Sequence, residues 1–170
     1  KRHGGPRYAR WRRCYAEVTI VVPLIRELTK VVFRVPYFMM ADSHQEIDRG
    51  KLNILGVFDR IYLTAVPKQY RGFTVIAQVV AETEDGLGRH RLGLRLVRPT
   101  SQTTLEIGGD ADIAMGGSPM GLASVRFVAG LHNVDFYEYG RHRLQLLADG
   151  NVIAELPFGV DPPPAASQPR

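Results

Sequence analysis

The densest run of groups able to do chemistry in this chain is Asp42-Ser43-His44-Gln45-Glu46-Ile47-Asp48. Carboxylates and an imidazole at alternate positions fall on one side of a strand, and such a set suits a metal site in a small metal-dependent hydrolase. Asp and His are also turn residues, so a polar loop running into Asp48-Arg49-Gly50 accounts for the same run with fewer assumptions. The loop reading is favoured, and Asp42 and His44 stay as candidate binding residues. A second group follows at once. Lys51 and Asn53 alternate with Leu52 and Ile54, which reads as a solvent face against a core face or, less simply, as a binding surface. Asp59-Arg60 is the third, a charge pair that a kink at Gly56 would re-aim across a sheet.

The other candidates are weaker. Gly109-Asp110-Ala111-Asp112 resembles a piece of a calcium loop without the remaining oxygen ligands, and reads as an ordinary loop. Gly86-Leu87-Gly88 has no helix after it to complete a phosphate cradle. No serine sits in a Gly-X-Ser-X-Gly elbow, and the lone cysteine, Cys14, lies in a basic arm. His90 falls at a strand edge, His132 in a loop and His142 on an inward strand face, where a core histidine is the simpler account. No catalytic residue, metal or cofactor is assigned, and the balance tips away from an enzyme.

The elements that would position these groups are strands. Val35 to Ala41 is the first, and Gly50 to Leu63 the second, with a bulge or close backbone approach at Gly56. Phe73 to Ala81 is β-branched and largely buried. Arg89 to Val97 alternates, with Leu92, Leu94 and Leu96 inward. Thr103 to Ile107 is short, and Gly108 to Gly121 reads as a glycine-rich loop. Leu122 to Leu131 alternates again. His142, Leu144 and Leu146 point inward on a strand that turns at Asp149-Gly150-Asn151, where positive φ is cheap, and Val152 to Val160 returns. About eight short strands at even spacing predict an antiparallel β-sandwich over residues 35–160, followed by a Pro-rich disordered tail over 161–170.

Charge is uneven. Residues 1–37 hold nine basic and two acidic residues, net +7, and the rest holds 13 and 15, net −2. The basic arm, residues 1–34, carries Tyr8 and Trp11 among its arginines and would bind nucleic acid or an anionic membrane if it belongs to the native product. A solvated, disordered terminus is the plainer reading. Val18 to Val32 has helical spacing broken by Pro23 and lacks the features of a signal peptide. Composition changes at Met39-Met40, which raises the expectation that the arm is a translated upstream region or a remnant. One cysteine gives no internal disulfide, and a cytoplasmic location is expected.

Met39-Met40-Ala41-Asp42, the Gly50-Lys51-Leu52-Asn53-Ile54-Leu55-Gly56-Val57-Phe58-Asp59-Arg60-Ile61 block and the Tyr139 to Gly150 hairpin resemble an uncharacterised bacterial all-β domain family of unknown function. The resemblance spans about Pro36 to Val160 and implies a fold without an activity. The resulting expectation is a non-enzymatic binding or accessory module that recognises a protein partner through an exposed edge strand or loops.

Overall fold

Leu92, Leu94 and Leu96 are each at most 2% exposed, while Arg91 is open to solvent, so the period-two pattern builds a strand with one buried face. The computed structural model describes residues 33–47, 51–114 and 123–164. Its strands are β1 (Phe33–Arg34), β2 (Phe38–Ile47), β3 (Lys51–Phe58), β4 (Arg60–Tyr62) and β5 (Lys68–Ala81), then β6 (Gly88–Val97), β7 (Thr103–Ile113), β8 (Ser124–Phe136), β9 (Gly140–Ala148) and β10 (Asn151–Asp161). One 3-10 turn, Glu84–Gly86, is present, and no α-helix occurs among the described residues.

The chain is an all-β sandwich. In one sheet β5 is central: β8 pairs with it along nearly its whole length, and β2 and the short β1 pair with it too. β3 pairs with β2 and forms that sheet's edge. The other sheet runs β4-β10-β9-β6-β7. Pairing is antiparallel except between β4 and β10. Phe73, Val75, Ala77 and Val79 of β5 meet Leu92, Leu94, Leu96, Leu144 and Leu146 of the opposite sheet in two buried clusters. Removing this much apolar surface from water is the main term that offsets chain entropy. Ile76 and Val80, on the other face of β5, are buried as well, as the composition of that strand foretold.

His142 is 1% exposed and lies between Phe136 and Phe158, with ring centroids 5.4 and 5.6 Å away. Its Nδ1 stands 3.2 Å from the Gly140 carbonyl oxygen. Burial, the dominant cause, holds its pKa below the ordinary imidazole value. The β9–β10 turn is built as expected, with Asp149 at φ 50° and Gly150 at φ 82°. Asp149 is also tied to β6, accepting from the Arg91 amide at 2.9 Å and lying 2.7 Å from His90 Nδ1.

Several expectations need correcting. The polar run from Asp42 to Ile47 is strand, not loop, because β3 supplies its hydrogen-bond ladder from Met40↔Phe58 to Ile47↔Lys51. The second expected strand is two, split at Asp59 where the chain leaves one sheet for the other. β7 runs through Gly108 to Ile113 because β6 pairs with it as far as Gly88↔Ile113, so Asp110 and Asp112 sit on a strand. β8 continues to Phe136 and places His132 in a ladder opposite Gly72. Residues 1–32 of the basic arm, with Cys14, Tyr8 and Trp11, lie outside the described residues, as do Asp48 to Gly50, residues 115–122 and 165–170.

Candidate functional site

β2 pairs with β5 only from Phe38↔Ala77 to Ala41↔Thr74, whereas its pairing with β3 continues to Ile47↔Lys51. Beyond Ala41 the two strands therefore leave the rest of the five-stranded sheet as a pair. Every residue from Asp42 to Ile47 is exposed. On β3, Lys51, Asn53, Leu55 and Val57 are exposed, and Leu52, Ile54 and Phe58 are half-buried. Leu55 at 59% and Val57 at 61% are the most exposed large apolar side chains described. They stand on the outermost described strand of the sheet, whose far-side amides and carbonyls face no neighbouring strand among the described residues.

The hairpin's base is shaped by Gly56. No register shift accompanies it, so it is a close approach and not a bulge. Its φ is +67°, a conformation cheap only for glycine, and an added Cβ would lie 2.1 Å from Asp42 Oδ2. The Asp42 carboxylate lies where that side chain would be. Across the sheet a second irregularity does similar work. Phe73 and Tyr70 both pack into the core although they are three positions apart, an odd step for a strand, and so do Leu131 and Val134. The odd step falls at Gly72 (φ 150°) and Asn133 (φ 55°), which turn the paired strands over. Tyr70 is thereby brought against Phe73 and Phe136, at centroid distances of 6.3 and 6.4 Å.

Asp42, Ser43, His44, Tyr70, Arg71, Thr74 and His132 line a cleft of about 730 Å³ between hairpin and body. Gly72 and Gly130 form part of its wall: a Cβ on Gly72 would meet the Leu131 carbonyl at 2.5 Å, and one on Gly130 would meet His132 Nε2 at 3.4 Å. A smaller cleft of about 380 Å³ shares Asp42 and Tyr70 and continues past Gly56, Val57, Phe58, Arg60 and Tyr62. Burial first, and then the Asp42 charge, raises the Tyr70 pKa, so its hydroxyl stays a hydrogen-bond donor. The two clefts together offer a carboxylate, two phenols, hydroxyls, imidazoles and two guanidiniums, a set suited to polar recognition.

Of the residues singled out in the sequence, Asp42 and His44 meet in the larger cleft, and Asp42 and Arg60 in the smaller. Lys51 and Asn53 stand apart on the exposed edge. Asp59 and Arg60 serve the switch between sheets: the Asp59 carbonyl accepts from the Gly159 amide at 2.9 Å, and Arg60 pairs with Asp161 at 3.1 Å. Both also line a shallow depression of about 380 Å³ with Arg141. Among the described residues no three His, Cys, Asp or Glu side chains are grouped to hold a metal ion. No described helix is long and apolar enough to cross a membrane. Tyr70 and Arg71 escaped the sequence reading, and His132 was considered there but placed in a loop. Gly72 was the available signal, a glycine inside a β-rich segment.

A family described as "Family of unknown function (DUF6941)" matches residues 36–161. No curated protein matches the chain. Among solved structures it is similar to a Pseudomonas fluorescens alkylpurine DNA glycosylase bound to DNA containing an abasic site analog, at TM-score 0.43 and 11% identity, covering 77% of this chain and 31% of that one. A β-glucosidase from Listeria innocua in complex with isofagomine is similar at TM-score 0.43 and 11% identity, covering 76% and 16%. An immunoglobulin-like protein from Pseudomonas aeruginosa is similar at TM-score 0.36 and 16% identity, covering 75% and 95%. The chain thus spans less than a third of the glycosylase and of the glucosidase.

Proposed function

The chain belongs to DUF6941, a family of unknown function, and we propose that its role is that of a non-enzymatic binding module which recognises a protein partner along the β3 edge. The observation that supports this reading is the exposure of Leu55 and Val57 side by side with a strand edge that no other described strand pairs with. Natural sheets usually blunt such an edge with charge or cover, because it templates further strand pairing. Here the edge strand contains a left-handed glycine, Gly56, against which the Asp42 carboxylate of β2 packs. An added strand would take its main-chain hydrogen bonds from β3 and cover Leu55 and Val57, and the polar clefts beside Asp42 would receive its side chains. We place the module in the cytoplasm on the ground of its single cysteine. Binding of nucleic acid or an anionic membrane by the basic arm is a separate proposal that rests on residues 1–32.

The test is affinity capture from an extract of the source organism with the full chain and with a Leu55→Lys/Val57→Lys variant. The captured protein is then purified and titrated against both. A partner that binds the unaltered chain and is lost from the variant supports the edge. A partner that binds both equally removes it.

A further inference from the structure

Arg60, Arg89 and Arg95 each hold a carboxylate, at 3.1, 2.6 and 2.8 Å. Arg71 and Asp42 do not, although both line the larger cleft. Neither side chain takes part in a described hydrogen bond or ion pair, with the other or with a third group. The strand pairing explains why. The ladder between β2 and β5 ends at Ala41↔Thr74, so Asp42 on one strand and Arg71 on the other lie past its last rung. β3 goes on holding β2 from one side, and β8 goes on holding β5 from the other. Opposite charges are thereby presented across one cleft without neutralising each other.

We infer that this cleft, independently of what β3 receives, binds a small zwitterion of the α-amino acid type, with its carboxylate on Arg71 and its ammonium on Asp42. The charges select the class. One fixed cation and one fixed anion match a ligand that carries one of each, whereas a plain anion or a plain cation would be repelled by one wall. A guanidinium forks onto a carboxylate through two parallel bonds, and a carboxylate accepts from the three N–H bonds of an ammonium. The main chain adds to both ends. Beyond Ala41 and before Thr74 the facing edges of β2 and β5 pair with no described strand, so N–H and C=O groups are open on the cleft side. Tyr70, whose hydroxyl stays protonated because burial raises its pKa, supplies a further donor. Its ring gives the cleft an apolar wall for the ligand's side chain, and a volume of about 730 Å³ lies in the range of small-molecule sites.

Titration of the full chain with phenylalanine, N-acetylphenylalanine and phenylalaninamide, followed by calorimetry and by amide NMR shifts, tests each end of the ligand separately. The dissociation constant expected for phenylalanine is on the order of 1 mM, the scale for a ligand of about twelve non-hydrogen atoms. The shifts should fall on Asp42 to His44 and Tyr70 to Thr74. Each capped form lacks one charge and should bind about fivefold more weakly. Arg71→Gln should then bind phenylalanine no better than phenylalaninamide, and Asp42→Asn should bind it no better than N-acetylphenylalanine. Arg143→Gln, which removes a charge from the other sheet, should leave all three affinities unchanged. No binding of phenylalanine at about 20 mM overturns the inference. A capped form that binds as tightly as phenylalanine overturns it too, since the cleft then takes one end of a polypeptide or a simple ion. Should either cleft variant fail to fold, the comparison of the three ligands on the unaltered chain still decides.

Discussion

The outer strands β3 and β7 close opposite sheets of one sandwich and solve the same physical problem in opposite ways. β7 is 11 residues long and carries Glu106, Asp110 and Asp112, two of which are engaged by the neighbouring strand: Arg95 with Glu106 at 2.8 Å and Arg89 with Asp110 at 2.6 Å. Charges on that rim oppose docking of another apolar strand. β3 carries Leu55 and Val57 in the open, with no acidic residue between Lys51 and Phe58. Each edge contains glycine, yet for different reasons. Gly108 of β7 meets the Leu92 carbonyl, where a Cβ would stand 2.8 Å away, and Gly56 of β3 meets a carboxylate side chain at positive φ. One edge is protected and the other presented. That contrast is the strongest pointer to function the molecule offers.

The contrast can be broken most sharply at association. Leu55→Lys/Val57→Lys should cost about 2 kcal/mol or more of binding energy for whatever β3 receives, the scale of a binding hot spot, with folding stability within about 0.5 kcal/mol of the parent. Titration calorimetry and urea denaturation report the two numbers separately. If folding stability falls instead, the side chains belong to the core and not to an interface.

Next in size is Gly56→Ala. A side chain at φ +67° that also displaces Asp42 should destabilise the chain by about 1–3 kcal/mol. Adding Asp42→Ala removes the collision but not the backbone penalty, so only part of the loss should return in the thermal midpoint. Full recovery would mean that the conformation of Gly56 carries no strain.

Acid should act on the sheet that holds β7. The buried His142 has its pKa depressed in the folded chain, so the unfolded chain takes up its proton first as pH falls. The stability that neutral His142 contributes is therefore complete above about pH 6.5 and declines below it, toward the depressed folded value. Denaturation midpoints measured between about pH 7.5 and 5 should fall more in the parent than in His142→Phe. Equal slopes would show that this histidine is not the sensor. The smallest effect is expected from Glu106→Gln on β7. Exposed pairs of this kind contribute about 0–1 kcal/mol, and the loss should shrink further in high salt.

Much of the framework was readable from period and turn chemistry. Leu92, Leu94 and Leu96 announce β6, and Asp149-Gly150 announces the β9–β10 hairpin, because each signal is local and one face of each strand is buried. Asp42 to Ile47 was not readable as a strand. Its charged residues alternate, but all six residues are exposed, so no apolar face backs that alternation, and their pairing is decided by β3 alone. Gly108 to Ile113 failed similarly, since its glycines suggest a loop until β6 is known to lie alongside. The site was less legible than the fold. Asp42 and His44 were found as a polar run, but the convergence of Tyr70, Arg71 and His132 on them depends on β2–β5 and β5–β8 pairing between segments far apart in the chain. The turnover at Gly72 and Asn133 reverses which side chains enter the core, and period-two counting assumes no such reversal.

The single residue between β3 and β4 has a mechanical consequence. Asp59 joins the presented edge of one sheet directly to the outer strand of the other, where Gly159 to Asp161 run parallel to Arg60 to Tyr62. Tension applied along β3 by an attached strand would therefore reach β4 without an intervening loop to absorb it. Against β10 that tension acts in shear, loading the ladder bonds together, together with the Arg60–Asp161 pair, and not peeling them one by one. The edge is anchored to bear a pull.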